Sequence, residues 1–307
     1  MVTLNKSVWP TMITPLDDDF QIDYNGLEHL VEWYLERGVD GLFTACMSSE
    51  IFFLNAAERR DMSRFIVKIS NRRVPVIASG NLLNTPEEQI EEVKALADTG
   101  VDAVVLLTNR FVEENESDEE WKKQVDNLLT RTPNIPLGLY ECPYPYKRLL
   151  SKQLLRWCAS TERFGFMKDT CCDLPRMRER VEVLRGSNLK VFNASASTLL
   201  PSLEIGVDGY SGVMANFHPQ LYVWLTRSWA TSPEKAASLQ NFLGLASLIE
   251  WQPYPVNAKY YLGLEGLEIK LNCRSRNTAD FTLANRIEVQ QLRALTNEYC
   301  RKYEVRI

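Results

Sequence analysis

Short apolar runs alternate with amphipathic stretches along the first three quarters of the chain. Eight runs read as strands, at residues 8–15, 41–47, 74–80, 103–108, 136–140, 164–168, 190–193 and 209–214. Their length and their content of branched and aromatic residues suit buried strands. The segments between them carry helical spacing, at 24–37, 55–69, 85–97, 118–129, 152–161, 174–184, 199–205 and 219–229. In the first of these Leu27, Leu30, Val31 and Tyr34 fall on one stripe. Asn55 with Glu58, and Thr85 with Pro86 and Glu88, are the start signals expected of helices.

A repeated junction ties these elements together. Segments 36–43, 98–105 and 204–211 share the core Gly-Val-Asp-Gly/Ala, each after an amphipathic stretch and before an apolar run. Glycine just past a helix end is the usual left-handed cap. Strands alternating with helices imply a parallel sheet with right-handed crossovers. Eight such units predict an α/β fold, a (β/α)8 TIM barrel over residues 1–225. The remainder, 226–307, lacks strand patterning and reads as a small helical extension with helices at 233–251, 256–267 and 282–303.

Composition narrows the function. The chain has 307 residues, 45% hydrophobic and 24% charged, which is globular and not disordered. A net charge of −5 offers no general attraction to nucleic acid or to an anionic membrane. No segment approaches the roughly 18 apolar residues of a membrane span, and residues 1–16 lack a signal-peptide layout. Seven cysteines in a chain of this length suit reduced thiols, so a cytoplasmic protein is expected. Cys171-Cys172 lack metal spacing, and with only His29 and His218 present a histidine-built metal centre is not expected. No cofactor is implied.

The candidate chemistry lies at the strand ends. Phe164-Gly-Phe-Met-Lys168-Asp-Thr170 is an apolar run closed by a lysine. Simple alternation puts Phe164, Phe166 and Lys168 on one face and Asp169 on the other. Two readings stand: a lysine whose head group escapes into water, or an amine desolvated enough to be neutral and nucleophilic. Tyr140 closes the adjacent strand, so a phenol would stand beside that amine. Met47-Ser48-Ser49-Glu50 sets two hydroxyls and several backbone amides at a strand-to-helix turn, the makings of a carboxylate cradle. Ser211 ends the eighth strand. Arg110 either reads an acidic group on the substrate or pairs with the acidic run that follows it. Glu141 is turned away by alternation, and His218 leads into a helix.

These residues, in this order, resemble the dihydrodipicolinate synthase/N-acetylneuraminate lyase family of pyruvate-handling class I aldolases. The landmarks are Trp9-Pro-Thr-Met-Ile-Thr-Pro15, Gly41-Leu-Phe, Ser48-Ser49-Glu50, Tyr140 with Pro143, Gly165-Phe-Met-Lys168-Asp and Val213-Met-Ala-Asn216. The resemblance implies that Lys168 forms the Schiff base and that Tyr140 relays protons. It implies further that Ser48, with the amides around Ser49, holds the substrate carboxylate, with Met47, Ser211 and Arg110 completing the substrate-binding set. A small 2-keto acid and a homo-oligomer, dimer or tetramer, are implied as partners. The pattern departs from synthase members in four places. Met47-Ser48 replaces a threonine pair, Arg110-Phe111 a tyrosine pair, Pro145 the expected arginine, and Asn193-Ala-Ser-Ala-Ser197 a Gly-Asp-Asp type. Dihydrodipicolinate synthesis itself is therefore not expected. The expected function is aldol cleavage or condensation, with dehydration of a keto-deoxy sugar acid as a variant. Two alternatives are a keto-acid-binding barrel that has lost turnover and a metal-dependent barrel aldolase.

Overall fold

The computed structural model describes residues 6–306, so the first five residues of segment 1–16, and Ile307, lie outside it. The eight strands are β1 (Ser7–Val8), β2 (Leu42–Thr44), β3 (Val76–Gly80), β4 (Ala103–Leu107), β5 (Leu137–Tyr140), β6 (Phe164–Asp169), β7 (Lys190–Asn193) and β8 (Gly209–Tyr210). They run parallel in the order β1-β8-β7-β6-β5-β4-β3-β2. A parallel bridge between Thr11 and Phe43 closes the ring, with Met12 N donating to Phe43 O at 2.9 Å and Phe43 N to Pro10 O at 3.0 Å. The barrel helices are α1 (Tyr24–Glu36), α2 (Ala56–Ser70), α3 (Pro86–Ala97), α4 (Asp118–Arg131), α5 (Lys152–Ser160), α6 (Leu174–Val183), α7 (Leu199–Glu204) and α8 (Pro219–Ser228). The tail adds α9 (Pro233–Ala246), which packs on α7 and α8, and the pair α10 (Val256–Leu264) and α11 (Leu283–Lys302). The fold is the (β/α)8 barrel with C-terminal helices that the pattern predicts.

Local chemistry accounts for these boundaries. Asn55 and Thr85 cap α2 and α3 in reciprocal boxes with Glu58 and Glu88. In the three repeated junctions Gly38, Gly100 and Gly206 all take positive φ, at 76°, 89° and 107°. The aspartate of each junction has a second use. Asp40 Oδ2 accepts from Val8 N at 2.8 Å, Asp102 Oδ2 from Val76 N at 2.7 Å and Asp208 Oδ2 from Val191 N at 2.9 Å. Each carboxylate thus staples the strand it introduces to the strand before it. The first and last strands are shorter than predicted. Pro10 and Pro15 lack the N–H a ladder needs, and after Tyr210 the chain turns into a 3-10 segment, Val213–Asn216.

Two apolar layers result. Phe43, Ile77, Val105, Leu107, Tyr140, Phe166 and Phe192 fill the barrel, whereas Leu42, Val76, Val104, Leu106, Leu139, Met167 and Val191 face the helices. One expectation fails here. Phe164 belongs to the outer layer and does not share a face with Phe166 and Lys168. The register jumps from Leu137↔Phe164 to Gly138↔Phe166, so Gly165 is the extra residue of a bulge that resets the alternation.

Charges buried in the outer layer are paired. Arg180 of α6 donates to Glu141 through Nη1 at 2.9 Å and Nη2 at 2.6 Å, and also bonds Asp169. Glu141 accepts in addition from Leu150 N at 2.8 Å. Burial pushes the Glu141 carboxyl up to about 7 against the pull of Arg180. Removing Arg180 strands two buried carboxylates. Arg180→Met is expected to cost about 3–5 kcal/mol in urea unfolding, a loss that Glu141→Gln in the same chain partly restores.

His218 is buried with Nδ1 3.2 Å from Thr296 Oγ1, and burial lowers its pKa to about 3. A depressed histidine stays neutral when folded while the unfolded chain takes up a proton below about pH 6.5. Stability is therefore lost as pH falls, by about 2 kcal/mol between pH 7 and pH 5 from this group. Urea unfolding of His218→Gln at both pH values is expected to show a correspondingly smaller acid loss.

Candidate active site

Lys168 and Tyr140 are register partners on neighbouring strands, so their side chains leave the sheet side by side into the barrel. Below them Phe166 stacks on Phe192 with ring centroids 4.6 Å apart, and Trp9 lies against both rings. Lys168 Nζ sits 4.7 Å from the Tyr140 ring centroid and 5.9 Å from that of Phe43. The lysine is only 5% exposed, so its head group does not escape into water.

Its electrostatic setting sets it apart. The buried cations among the described residues are Arg37, Arg59, Arg148, Lys168, Arg180 and Lys259. Arg37 pairs with Glu265, Arg59 with Glu92, Arg148 with Asp118, Arg180 with Glu141 and Asp169, and Lys259 with Glu50. Lys168 forms no ion pair among the described residues. Desolvation therefore lowers its pKa, opposed only by the more distant pull of Cys46, Cys142 and Glu250. Tyr140 is shifted the other way: burial, then the thiols of Cys142 and Cys46, hold its phenol well above the usual range. The pair is an amine biased toward its nucleophilic form beside a phenol that keeps its proton.

The turn after β2 lies across the mouth. Ala45 and Glu50 adopt left-handed φ of 45° and 61°, bracketing a 3-10 turn, Met47–Ser49. Such strain in non-glycine residues persists only where surrounding bonds over-determine it. Here Glu50 Oε2 accepts from Arg274 N and Ser275 N, both at 2.7 Å, and Thr14 Oγ1 donates to Ser49 O at 2.9 Å. The Met47 and Ser48 amides open the turn, where N–H groups find no acceptor within the turn itself. Ser48 is buried, and its hydroxyl donates to Thr11 Oγ1 at 3.0 Å. Ser49 is differently employed. Its hydroxyl donates to Met12 O at 2.6 Å and accepts from Cys46 N at 3.1 Å, which holds the turn and leaves nothing for a ligand. Met47 is 43% exposed on the rim. Tyr210 stacks outward on Tyr222, centroids 4.3 Å apart, so Ser211 turns inward, fully buried, its Oγ without a partner. A buried hydroxyl with nothing to bond suits a ligand oxygen.

Arg110 is not brought to this centre. Its Nη2 donates to Leu82 O at 2.8 Å, and it lines a separate groove of about 470 Å³ with Phe111, Pro145 and Tyr146. Lys147 Nζ donates to Thr170 O at 2.9 Å, and Arg148 is engaged with Asp118 and two carbonyls, so neither replaces the arginine missing at Pro145. Burial pushes the Cys142 thiol up, which keeps it from acting as a thiolate. No group of three or more metal-ligating side chains is assembled among the described residues.

Two residues absent from the sequence-based set lie at the same mouth, both from the tail. Asn216 Nδ2 donates to the Tyr254 hydroxyl at 3.1 Å. The half-buried Glu250 carboxyl is pushed up to about 7 by burial, with Lys168 pulling it back down. The available signal was Pro253-Tyr254-Pro255, a tyrosine stiffened from both sides between two helices.

A sequence model described as the dihydrodipicolinate synthetase family matches residues 5–291. The 4-hydroxy-tetrahydrodipicolinate synthase of Oceanobacillus iheyensis is 27% identical over 264 residues, 85% of this chain and 88% of that protein. That of Methanothrix thermoacetophila is 26% identical over 273 residues, 87% and 90% of the two chains. Among solved structures, a prophage protein of the dihydrodipicolinic acid synthase family from E. coli K12, in complex with pyruvate, superposes with a TM-score of 0.83 at 22% identity. It covers 99% of this chain and 100% of that one. The 4-hydroxy-tetrahydrodipicolinate synthase of Methylacidiphilum fumariolicum SolV superposes at 0.85 with 23% identity, covering 97% and 98%. Since the matched region spans the barrel and most of the tail, the chain belongs to the dihydrodipicolinate synthetase family of lysine-dependent, class I lyases.

Proposed function

We propose that this enzyme forms a Schiff base between Lys168 and pyruvate or a longer 2-keto acid, and makes or breaks the bond between C3 and C4. The observation that carries the reading is an unpaired, buried amine 4.7 Å from the ring of a protonated tyrosine. The neutral amine adds to the C2 carbonyl. Tyr140 supplies a proton to the departing oxygen, and loss of water leaves an iminium. That cation accepts the electron pair released when the C3–C4 bond breaks, giving an enamine that is reprotonated at C3. The Met47 and Ser48 amides, the Ser48 hydroxyl and the unpartnered Ser211 hydroxyl are the groups offered to the keto acid's carboxylate and carbonyl oxygen.

The second substrate is not the semialdehyde of dihydrodipicolinate synthesis on this reading. Pro145 stands where an arginine would grip a second carboxylate, and Arg110, Lys147 and Arg148 are all committed elsewhere. A keto-deoxy acid with an uncharged far end fits better. A cytoplasmic homo-oligomer completes the reading, and no helix among the described residues is long and apolar enough to cross a membrane.

Borohydride added with pyruvate is expected to fix a reduced pyruvate adduct on the peptide holding Lys168. Lys168→Ala is expected to lose both the adduct and at least about 10³-fold of pyruvate release from 2-keto-3-deoxy acids. An adduct on another residue, or none, refutes the lyase. An adduct with no release from any such acid marks a binding barrel without turnover.

The pH dependence of trapping tests the electrostatics. Ionised Glu250 raises the Lys168 pKa, so Glu250→Gln is expected to move the acidic limb of adduct formation to lower pH. The effect is confined to pH values near and above 7, where that carboxyl carries its charge. A limb that moves to higher pH contradicts this account of the site.

A further inference from the structure

Residues 267–277, between α10 and α11, form no helix or strand, yet they are fastened firmly to the barrel. Asn272 Nδ2 donates to Asp17 O at 2.7 Å. The Arg274 guanidinium donates to Phe20 O through Nε at 3.0 Å and Nη2 at 2.7 Å, to Phe53 O through Nη1 at 2.9 Å, and pairs with Glu58 at 2.7 Å. The segment closes on Glu50, which is 4% exposed. Glu50 Oε2 takes the Arg274 and Ser275 amides, both at 2.7 Å, and Oε1 faces Lys259 Nζ at 3.4 Å. Lys259 is fully buried and also donates to Asn272 O. Among the described residues the Glu50 carboxylate bonds to the tail alone. Its backbone serves the turn. Glu50 closes Met47–Ser49 with φ 61° and ψ 38°, its N–H donating to Met47 O at 3.0 Å. A side chain makes that left-handed conformation costly, whereas glycine adopts it freely. A glutamate at this position makes the shape of the turn conditional on the docked tail. Ser48, two residues earlier, is thus held by Thr11 on one side, at 3.0 Å, and through Glu50 by the tail on the other.

We propose that Glu50 is a positioning residue for the Lys168 site. Through it the tail segment Asn272–Ser275 holds the Ser48 turn in the shape that receives the carboxylate of a 2-keto acid. The tail then governs affinity for the acid and leaves the addition of the amine to the ketone untouched. The two tasks are built on separate supports. Lys168 and Tyr140 are paired in register on β6 and β5 and backed by the aromatic rings inside the barrel. The Ser48 turn hangs instead on a strained residue clamped from Lys259, Arg274 and Ser275. The proposal rests on the Schiff-base reading of Lys168 and on Ser48 as a contact of the keto acid's carboxylate.

The test compares two ketones in the full-length chain and in Glu50→Gln: pyruvate, and acetone, which has a methyl group in place of the carboxylate. Each is trapped on Lys168 with cyanoborohydride, and the adduct is read by mass on the peptide holding that lysine. In Glu50→Gln the half-saturating concentration of pyruvate is expected to rise about 10- to 100-fold, the span of one hydrogen bond to a charged group. Trapping rates at saturating pyruvate and with acetone are expected to stay within about twofold. Glu50→Gly and Glu50→Ala both remove the carboxylate, and only glycine accepts the left-handed backbone. Glycine is therefore expected to keep more of the preference for pyruvate over acetone. Glycine no better than alanine, or an unchanged half-saturating concentration in Glu50→Gln, overturns the proposal. Equal loss of pyruvate and acetone trapping overturns it as well, since the damage then lies in the barrel and not in the turn. Failure of the unmodified chain to trap pyruvate overturns the lysine reading and this proposal with it. Should Glu50→Gln not fold, Arg274→Ala loosens the same segment and leaves the Glu50 side chain in place. An unchanged preference for pyruvate over acetone in that variant overturns the proposal.

Discussion

An ammonium ion loses its hydration when it is enclosed by aromatic rings, and without a counter-ion nothing offsets that loss. Lys168 is held in that condition. Five other lysines and arginines are buried among the described residues, and each is given a carboxylate. The carboxylates that follow Tyr140 and Lys168 directly in sequence, Glu141 and Asp169, are turned to the helix side of the sheet and saturated by Arg180. The alternation of β5 and β6 thus sorts charge as well as hydrophobicity. It sends the acids outward, where they brace α6, and the amine and phenol inward, where they face each other at the barrel mouth.

The helices and strands were largely legible because their causes are local. Asn55 with Glu58 and Thr85 with Glu88 announce helix starts, and the three Gly-Val-Asp junctions announce helix ends. What reads poorly depends on partners distant in the chain. The stapling role of Asp40, Asp102 and Asp208 involves the amides of neighbouring strands, up to 32 residues away. The place of Phe164 depends on a bulge, and an extra residue cannot be seen by a rule that counts in twos.

The site divides in the same way. Lys168 and Tyr140 were readable because adjacent strands put their ends together. The use of the Ser49 hydroxyl is not legible, because a serine in a turn looks the same whether it faces a ligand or the carbonyl of Met12. Arg110 follows the right strand but bends back to Leu82 O. Tyr254 and Glu250 were missed because nothing near them in sequence says that the tail returns to the barrel mouth. Only the fold brings residue 254 to within 3.1 Å of residue 216.

The clamp on Glu50 bears on how such a molecule is made. The turn that carries Ser48 is held by the amides of Arg274 and Ser275 and by Lys259, which are translated more than two hundred residues later. A nascent chain leaving the ribosome therefore carries Lys168 before the residues that hold this turn have been made. The barrel and the bracing of its mouth are thus supplied at different moments of synthesis, and the strained turn gains its clamp only once the tail has been made.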